Sequence, residues 1–136
     1  NVNSSGTERM RIESNGNVLI GKTSQSNTSY KLDVAGKVRA NEIVVNTNGA
    51  DYVFGEDYKL KSLDEVETFI NENNHLPGIP SAAEMQGQGM SVGELNTKLL
   101  EKIEELTLYL IKHEEMILGL KNENKLLKSQ LRNNDK

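Results

Sequence analysis

At 136 residues, with 35% hydrophobic and 4% aromatic residues and no tryptophan, the chain has little apolar bulk for a large monomeric core. It has no cysteine, which excludes disulfides and thiolate metal sites and leaves oligomerisation as the route to a stable fold. Sixteen basic and twenty acidic residues, net charge −4, are mixed along the chain, so neither a nucleic-acid stripe nor a polybasic membrane surface is expected.

Residues 1–8 are polar and read as a linker, opening without a Met or an apolar signal segment, as the middle of a longer polypeptide would. From Arg9 a two-residue alternation begins: Met10 and Ile12, then Asn15-Gly16, then Val18 and Ile20. Alternation around an Asn-Gly pair predicts a strand–turn–strand unit, with Met10 and Ile12 on one face of its first strand. A polar loop follows from Lys22 to Ser29, and alternation resumes at Tyr30, Leu32 and Val34, then Val38 and Ala40. Arg11-Ile12-Glu13 matches Lys31-Leu32-Asp33, Gly16 matches Gly36, and Val18 matches Val38, a repeat offset by twenty residues. Two copies are too few for a solitary stack, so copies from other chains are expected to cover the open faces. Ile43 to Val45 read as a further strand, with a bulge near Asn41-Glu42. Residues 9–50 are therefore expected to be a β-strand repeat region.

Gly16 to Thr23 satisfies the pattern of a phosphate-binding loop, which needs a strand before its first glycine and a helix after its lysine. Here Val18 to Ile20 are strand residues, and no helical periodicity follows Lys22, so the match is rejected. The sequons at Asn3 and Asn27 are equally inexpensive matches in Asn/Ser-rich loops.

Residues 51–90 read as a small mixed domain with two short helices. Tyr52, Phe54 and Tyr58, with Phe69, are expected to seed a satellite core. Ser62-Leu63-Asp64-Glu65 and Ser81-Ala82-Ala83-Glu84 fit capping boxes. The first helix places Leu63, Val66, Phe69 and Ile70 on one face. Between the two helices, His75-Leu76-Pro77-Gly78-Ile79-Pro80 predicts a rigid turn.

Residues 91–136 are predicted to be one coiled-coil helix. Ser91-Val92-Gly93-Glu94 is a third capping box, with Met90 and Leu95 as a hydrophobic staple. Its seam runs Leu95, Leu99, Ile103, Leu106, Leu110, His113, Ile117, Leu120, Asn124, Leu127 and Leu131, with alternating three- and four-residue steps from Ile103 and a stutter at Leu99. These eleven residues are the candidate oligomer interface. Leu100, Leu108, Tyr109 and Ile111 broaden the apolar face, which predicts packing against the Leu63–Ile70 helix. Asn124 is expected to fix register, and His113 to be a polar layer rather than a metal ligand. Glu123 and Lys128 stand where parallel neighbours pair. Ile and Leu on alternate seam positions, like the Asn, lean towards a dimer.

The runs Asp51-Tyr52-Val53-Phe54, Asp57-Tyr58-Lys59-Leu60, His75-Leu76-Pro77-Gly78-Ile79-Pro80-Ser81 and Leu99 to Leu106 resemble a C-terminal module of bacterial and phage tail-fibre-like proteins. Tyr30-Lys31-Leu32-Asp33-Val34-Ala35-Gly36 is similar to what precedes that module. More distantly, the order of small domain and coil is similar to the intramolecular chaperone domain that ends phage tailspikes. The resemblance implies assembly of a fibre, a trimer, and an extracellular or phage-tail-like setting. It also raises self-cleavage by a Ser–Lys pair, which needs a Ser before an Asp. Ala50 stands before Asp51 with Lys59 downstream, so the nucleophile is missing and no enzyme activity is expected.

The sequence thus predicts an α+β chain with fibrous, trimeric β-repeats, a small helical middle and a long coiled-coil helix. Expected partners are further copies of the chain, as a parallel trimer rather than a dimer, with a cell-surface receptor or glycan as the alternative at a fibre tip. No nucleic acid, membrane insertion, cofactor or metal is expected.

Overall fold

The computed structural model describes residues 2–4 and 7–134. The chain is α+β and divides into two compact units, residues 1–44 and 45–136.

The first unit is a small sheet of β1 (Val2–Ser4), β2 (Thr7–Ile12), β3 (Val18–Ile20) and β4 (Leu32–Val34), in that spatial order. β1–β2 and β2–β3 are antiparallel, whereas β3–β4 is parallel. Strands therefore occupy residues 2–4 and 7–8, where a linker was expected. Backbone pairing with β2 takes up the hydrogen-bonding groups of this polar stretch, which no apolar pattern announces. The β2–β3 turn closes on Gly16, whose N–H donates to Glu13 O at 2.9 Å, with φ +81° in the left-handed region.

The two faces of this sheet differ. On one, Leu19 and Asn17 are fully buried beneath the chain's own loop. The Asn17 amide donates to Gln25 Oε1 and Thr28 O, both at 2.8 Å, and its oxygen accepts from Lys31 Nζ at 2.8 Å. Lys22 Nζ meets Asp33 Oδ2 at 2.6 Å on the same face. On the other face, register aligns Met10 with Ile20 and Val34, and Ile12 with Val18 and Leu32. That apolar face is only partly covered: Ile12 and Leu32 are exposed, and Met10, Val18, Ile20 and Val34 are half-buried. The alternation thus shows correctly that Met10 and Ile12 share a face, but the buried side of the single chain is the other one.

No strand forms in residues 35–45. The second hairpin predicted through Gly36, Val38 and Ala40, and the strand and bulge at 41–45, are absent. Val38, Ile43 and Val44 are exposed. A strand apolar on both faces needs a neighbouring strand and cover on each side, and the single chain supplies neither here.

In the second unit all three predicted helices form. α1 (Leu63–Asn73) starts at a complete Ser62/Glu65 capping box and ends on Asn74 at φ 60°. α2 (Ala82–Gln88) starts at a complete Ser81/Glu84 box. α3 spans Val92–Asn134, 43 residues, or about 65 Å at 1.5 Å per residue. At its start the Ser91 hydroxyl accepts from Glu94 N–H at 3.1 Å.

Residues 45–50 belong to this unit rather than to the repeat region. Thr97 Oγ1 donates to Asn48 O at 2.8 Å, and Gly93 is buried under the passing chain. A Cβ on Gly93 would meet Thr47 Cγ2 at 2.5 Å and Val45 Cγ1 at 3.1 Å. Gly119 instead has open space around it. Gly119→Ala should therefore stabilise α3 by about 1 kcal/mol, whereas Gly93→Ala should cost about 1–3 kcal/mol by overpacking. Urea unfolding followed by circular dichroism at fixed chain concentration compares the two.

Candidate oligomer interface

From Val45 to Lys61 the chain tracks α3 in the same direction. Asn48 is held by Thr97, the Tyr52 hydroxyl donates to Glu101, the Tyr58 hydroxyl to Glu105, and the Tyr109 hydroxyl to Lys61 O at 2.7 Å. Between them the 3-10 turn Asp51–Phe54 lies on α3, with Ala50 and Val53 fully buried. The chain returns to α3 at the proline turn, where Lys98 Nζ donates to Gly78 O at 2.8 Å.

The centre of this docking strip is charged. Lys102 Nζ bridges Glu101 at 2.7 Å and Glu105 at 2.8 Å, all three side chains being largely shielded from solvent. Burial pushes the Glu101 carboxyl up, but the Lys102 ammonium and the Tyr52 hydroxyl outweigh it and leave its pKa lowered. Burial likewise pulls Lys102 down, and its two carboxylate partners more than restore it, so its pKa ends raised. Tyr52 is pushed up to about 12, first by its hydrogen bond to Glu101 and then by burial. Tyr58 is raised further, burial acting first and Glu105 second.

Glu104 is the exception in the strip. It is 8% exposed and its Oε2 has no hydrogen-bond partner. Burial, with Asp51 nearby, raises its carboxyl pKa. This is the one side chain among those described whose burial is left uncompensated.

The predicted seam lies on the far side of the helix. At 3.6 residues per turn, Ile103 to Leu131 centre roughly 160° around α3 from Glu104. Leu99, Ile103, Leu106, Leu110, Ile117, Leu120, Leu127 and Leu131 are all exposed large hydrophobics, as Val92 is. Leu95 is half-buried, and His113 and Asn124 are exposed. The Asn124 amide donates to Leu120 O at 3.0 Å within its own helix. From Leu110 to Asn133 every residue is exposed. The structure thus brings all eleven predicted residues onto one helix side, ten of them exposed and Leu95 partly covered.

Two expectations about the small domain change. The broadened part of α3 packs against the Asp51–Phe54 turn rather than along α1. Leu108 and Tyr109 are half-buried, while Leu100 and Ile111 stay exposed. Nor do the aromatics form one core. Tyr52 and Tyr58 pair at 6.1 Å, and Phe69 meets His75 edge-on at 5.4 Å. Tyr52 and Phe54 remain 51% and 56% exposed. Polar hydroxyls drew the tyrosines to carboxylates on α3, and the small Ala50 and Val53 took the buried positions instead.

The docking residues Gly93, Thr97, Glu101, Lys102 and Glu105 were not singled out from sequence. Gly93, Thr97, Glu101 and Glu105 are spaced on helix positions off the seam and Lys102 flanks it, a pattern that a solvated charged face also shows. Lys22, the would-be phosphate lysine, is committed to Asp33, and no helix follows it. Among the described residues no group of three His, Asp or Glu side chains could hold a metal ion, and no helix is long and apolar enough to cross a membrane. Comparison with protein-family models, curated proteins and solved structures returned no match.

The pH dependence follows from these shifts. Tyr52 holds its proton more tightly folded than unfolded, so its contribution is complete below about pH 10 and is lost as pH rises towards 12. Tyr52→Phe should remove a step at about pH 12 from the alkaline titration of tyrosine absorbance. It should also flatten the fall of stability between pH 10 and 12. At neutral pH, Lys102→Met leaves two shielded carboxylates facing each other and should cost about 1–3 kcal/mol, measured by urea unfolding.

Proposed function

We propose that this chain is a structural assembly module that trimerises and caps a tail-fibre-like or surface fibre protein through a parallel coiled coil. One observation carries this assignment above the others. The small domain occupies one side of α3, and ten of the eleven seam residues on the other side, from Leu99 to Leu131, are exposed. A contiguous apolar stripe of that length marks an interaction surface. A helix with two dozen residues unpacked is also marginal alone in water, because helical stability comes chiefly from packing an amphipathic face.

The partly covered apolar face of the first unit supports the same proposal independently. A single-layer sheet must bury one face against another layer, and in the rows Met10–Ile20–Val34 and Ile12–Val18–Leu32 two residues are exposed and four only half-buried, with no second layer among the described residues of that unit. Further copies would supply it, as they would the strand partners missing at residues 38–45. The partly covered repeats and the resemblance to tail-fibre modules favour three chains over two. The setting proposed is an extracellular fibre or a phage-tail-like particle.

A second assignment, a receptor- or glycan-binding fibre tip, is favoured by the exposure of Tyr52 and Phe54. It is compatible with the first, since these residues lie away from the seam.

Sedimentation equilibrium at micromolar concentration should give the mass of a trimer. The double variant Leu110→Glu, Ile117→Glu should sediment as a monomer while the tyrosine–carboxylate strip stays formed, since both residues are exposed in the single chain. A stable wild-type monomer would overturn the proposal.

A further inference from the structure

Where α1 and the proline turn come closest to α3 they leave an apolar cleft of about 120 Å³. Leu63, Val66, Leu76 and Pro77 form one wall, and Leu106 and Tyr109 of α3 form the other. The Lys102 ammonium at its edge is already bound by Glu101 and Glu105, and the Tyr109 hydroxyl by Lys61 O. Lys102, Glu105 and the Tyr109 hydroxyl at the cleft are thus satisfied within the chain. Leu63, Leu76 and Leu106 are nevertheless exposed. An apolar cavity of about 150 Å³ holds a benzene-sized group, so this cleft has room for about one aliphatic side chain.

The position of the cleft decides what fills it. With Ile103 at heptad position a, Leu106 is d, and Lys102 and Tyr109 are both g. The cleft therefore opens along the g edge of the seam and is continuous with it. In a parallel, in-register coil the g edge of one helix faces the e edge of the next. The e positions of this chain are Thr107, Glu114, Lys121 and Lys128. Below the cleft the charges complement, with Glu123 at g opposite Lys128 at e. At the level of the cleft the e residue is the uncharged Thr107. Its hydroxyl is taken by Ile103 O at 2.9 Å, which leaves its methyl for a neighbour.

We propose that the cleft is the receiving half of a clasp between copies of this chain. The e edge of a second copy's α3, at Thr107 with Ile103 and Leu110 beside it, seats against Leu63, Val66, Leu76 and Pro77. Each small domain then grips the next helix, and the interface extends beyond the seam to residues with no heptad signal. The clasp rests on the parallel oligomer proposed above.

Because the chain has no cysteine, introduced thiols report proximity without background. Glu123→Cys, Lys128→Cys tests the parallel coil alone. For the clasp, Leu76→Cys and Thr107→Cys chains carrying different tags are co-expressed, so that any disulfide between the two tags is intermolecular. After equilibration in a glutathione buffer, peptide mass spectrometry should find both the 123–128 and the 76–107 link. A 123–128 link without a 76–107 link would overturn the clasp and leave the coil standing. Loss of both links, with a monomeric mass in sedimentation, would overturn the oligomer and the clasp with it.

Discussion

The row Glu101, Lys102 and Glu105, with Tyr52 and Tyr58 laid against it, decides which side of α3 the rest of its unit occupies. Two carboxylates share one ammonium, each also accepts a hydrogen bond from a phenol, and all are partly removed from water. Such a network has a sharp geometry, and breaking any member strands the others in a poorly solvated place. Since Thr97 and Gly93 continue the row, the segment from Val45 to Lys61 is led along one side of the helix over four turns. The seam on the opposite side is left bare as a consequence.

This division separates two kinds of adhesion. Polar, directional contacts hold the small domain to its own helix, while the apolar stripe of α3 stays exposed from Leu99 to Leu131. Directional hydrogen bonds specify one register, whereas apolar burial is strong but indiscriminate. Glu104 runs against the scheme, being buried without a partner and with its carboxyl pushed up. Its charge weakens docking at neutral pH, and the folded strip holds its proton more tightly than the unfolded chain does.

In the small sheet of the first unit, too, polar partners determine which face the chain itself covers. Its own loop covers the face that holds Asn17, Leu19 and Asp33, because the loop supplies polar partners: Gln25, Thr28 O and Lys31. The face with six aligned apolar residues has none of them buried. Val38, Ile43 and Val44, which lie outside any strand, are likewise exposed.

Much was legible in the sequence alone: the Asn-Gly hairpin, the three serine-capped helix starts, the proline turn and the heptad stripe are each written within a few neighbouring residues. Capping, turn geometry and helical periodicity are local, so local residues determine them. The tertiary structure alone decided which face of the sheet is buried, that residues 38–45 stay unpaired in the single chain, and that tyrosines of one segment would find carboxylates some forty-eight residues away. Those outcomes depend on which surfaces are in reach at once. A carboxylate row on a helix reads the same whether it faces water or a phenol, until the fold brings the phenol to it.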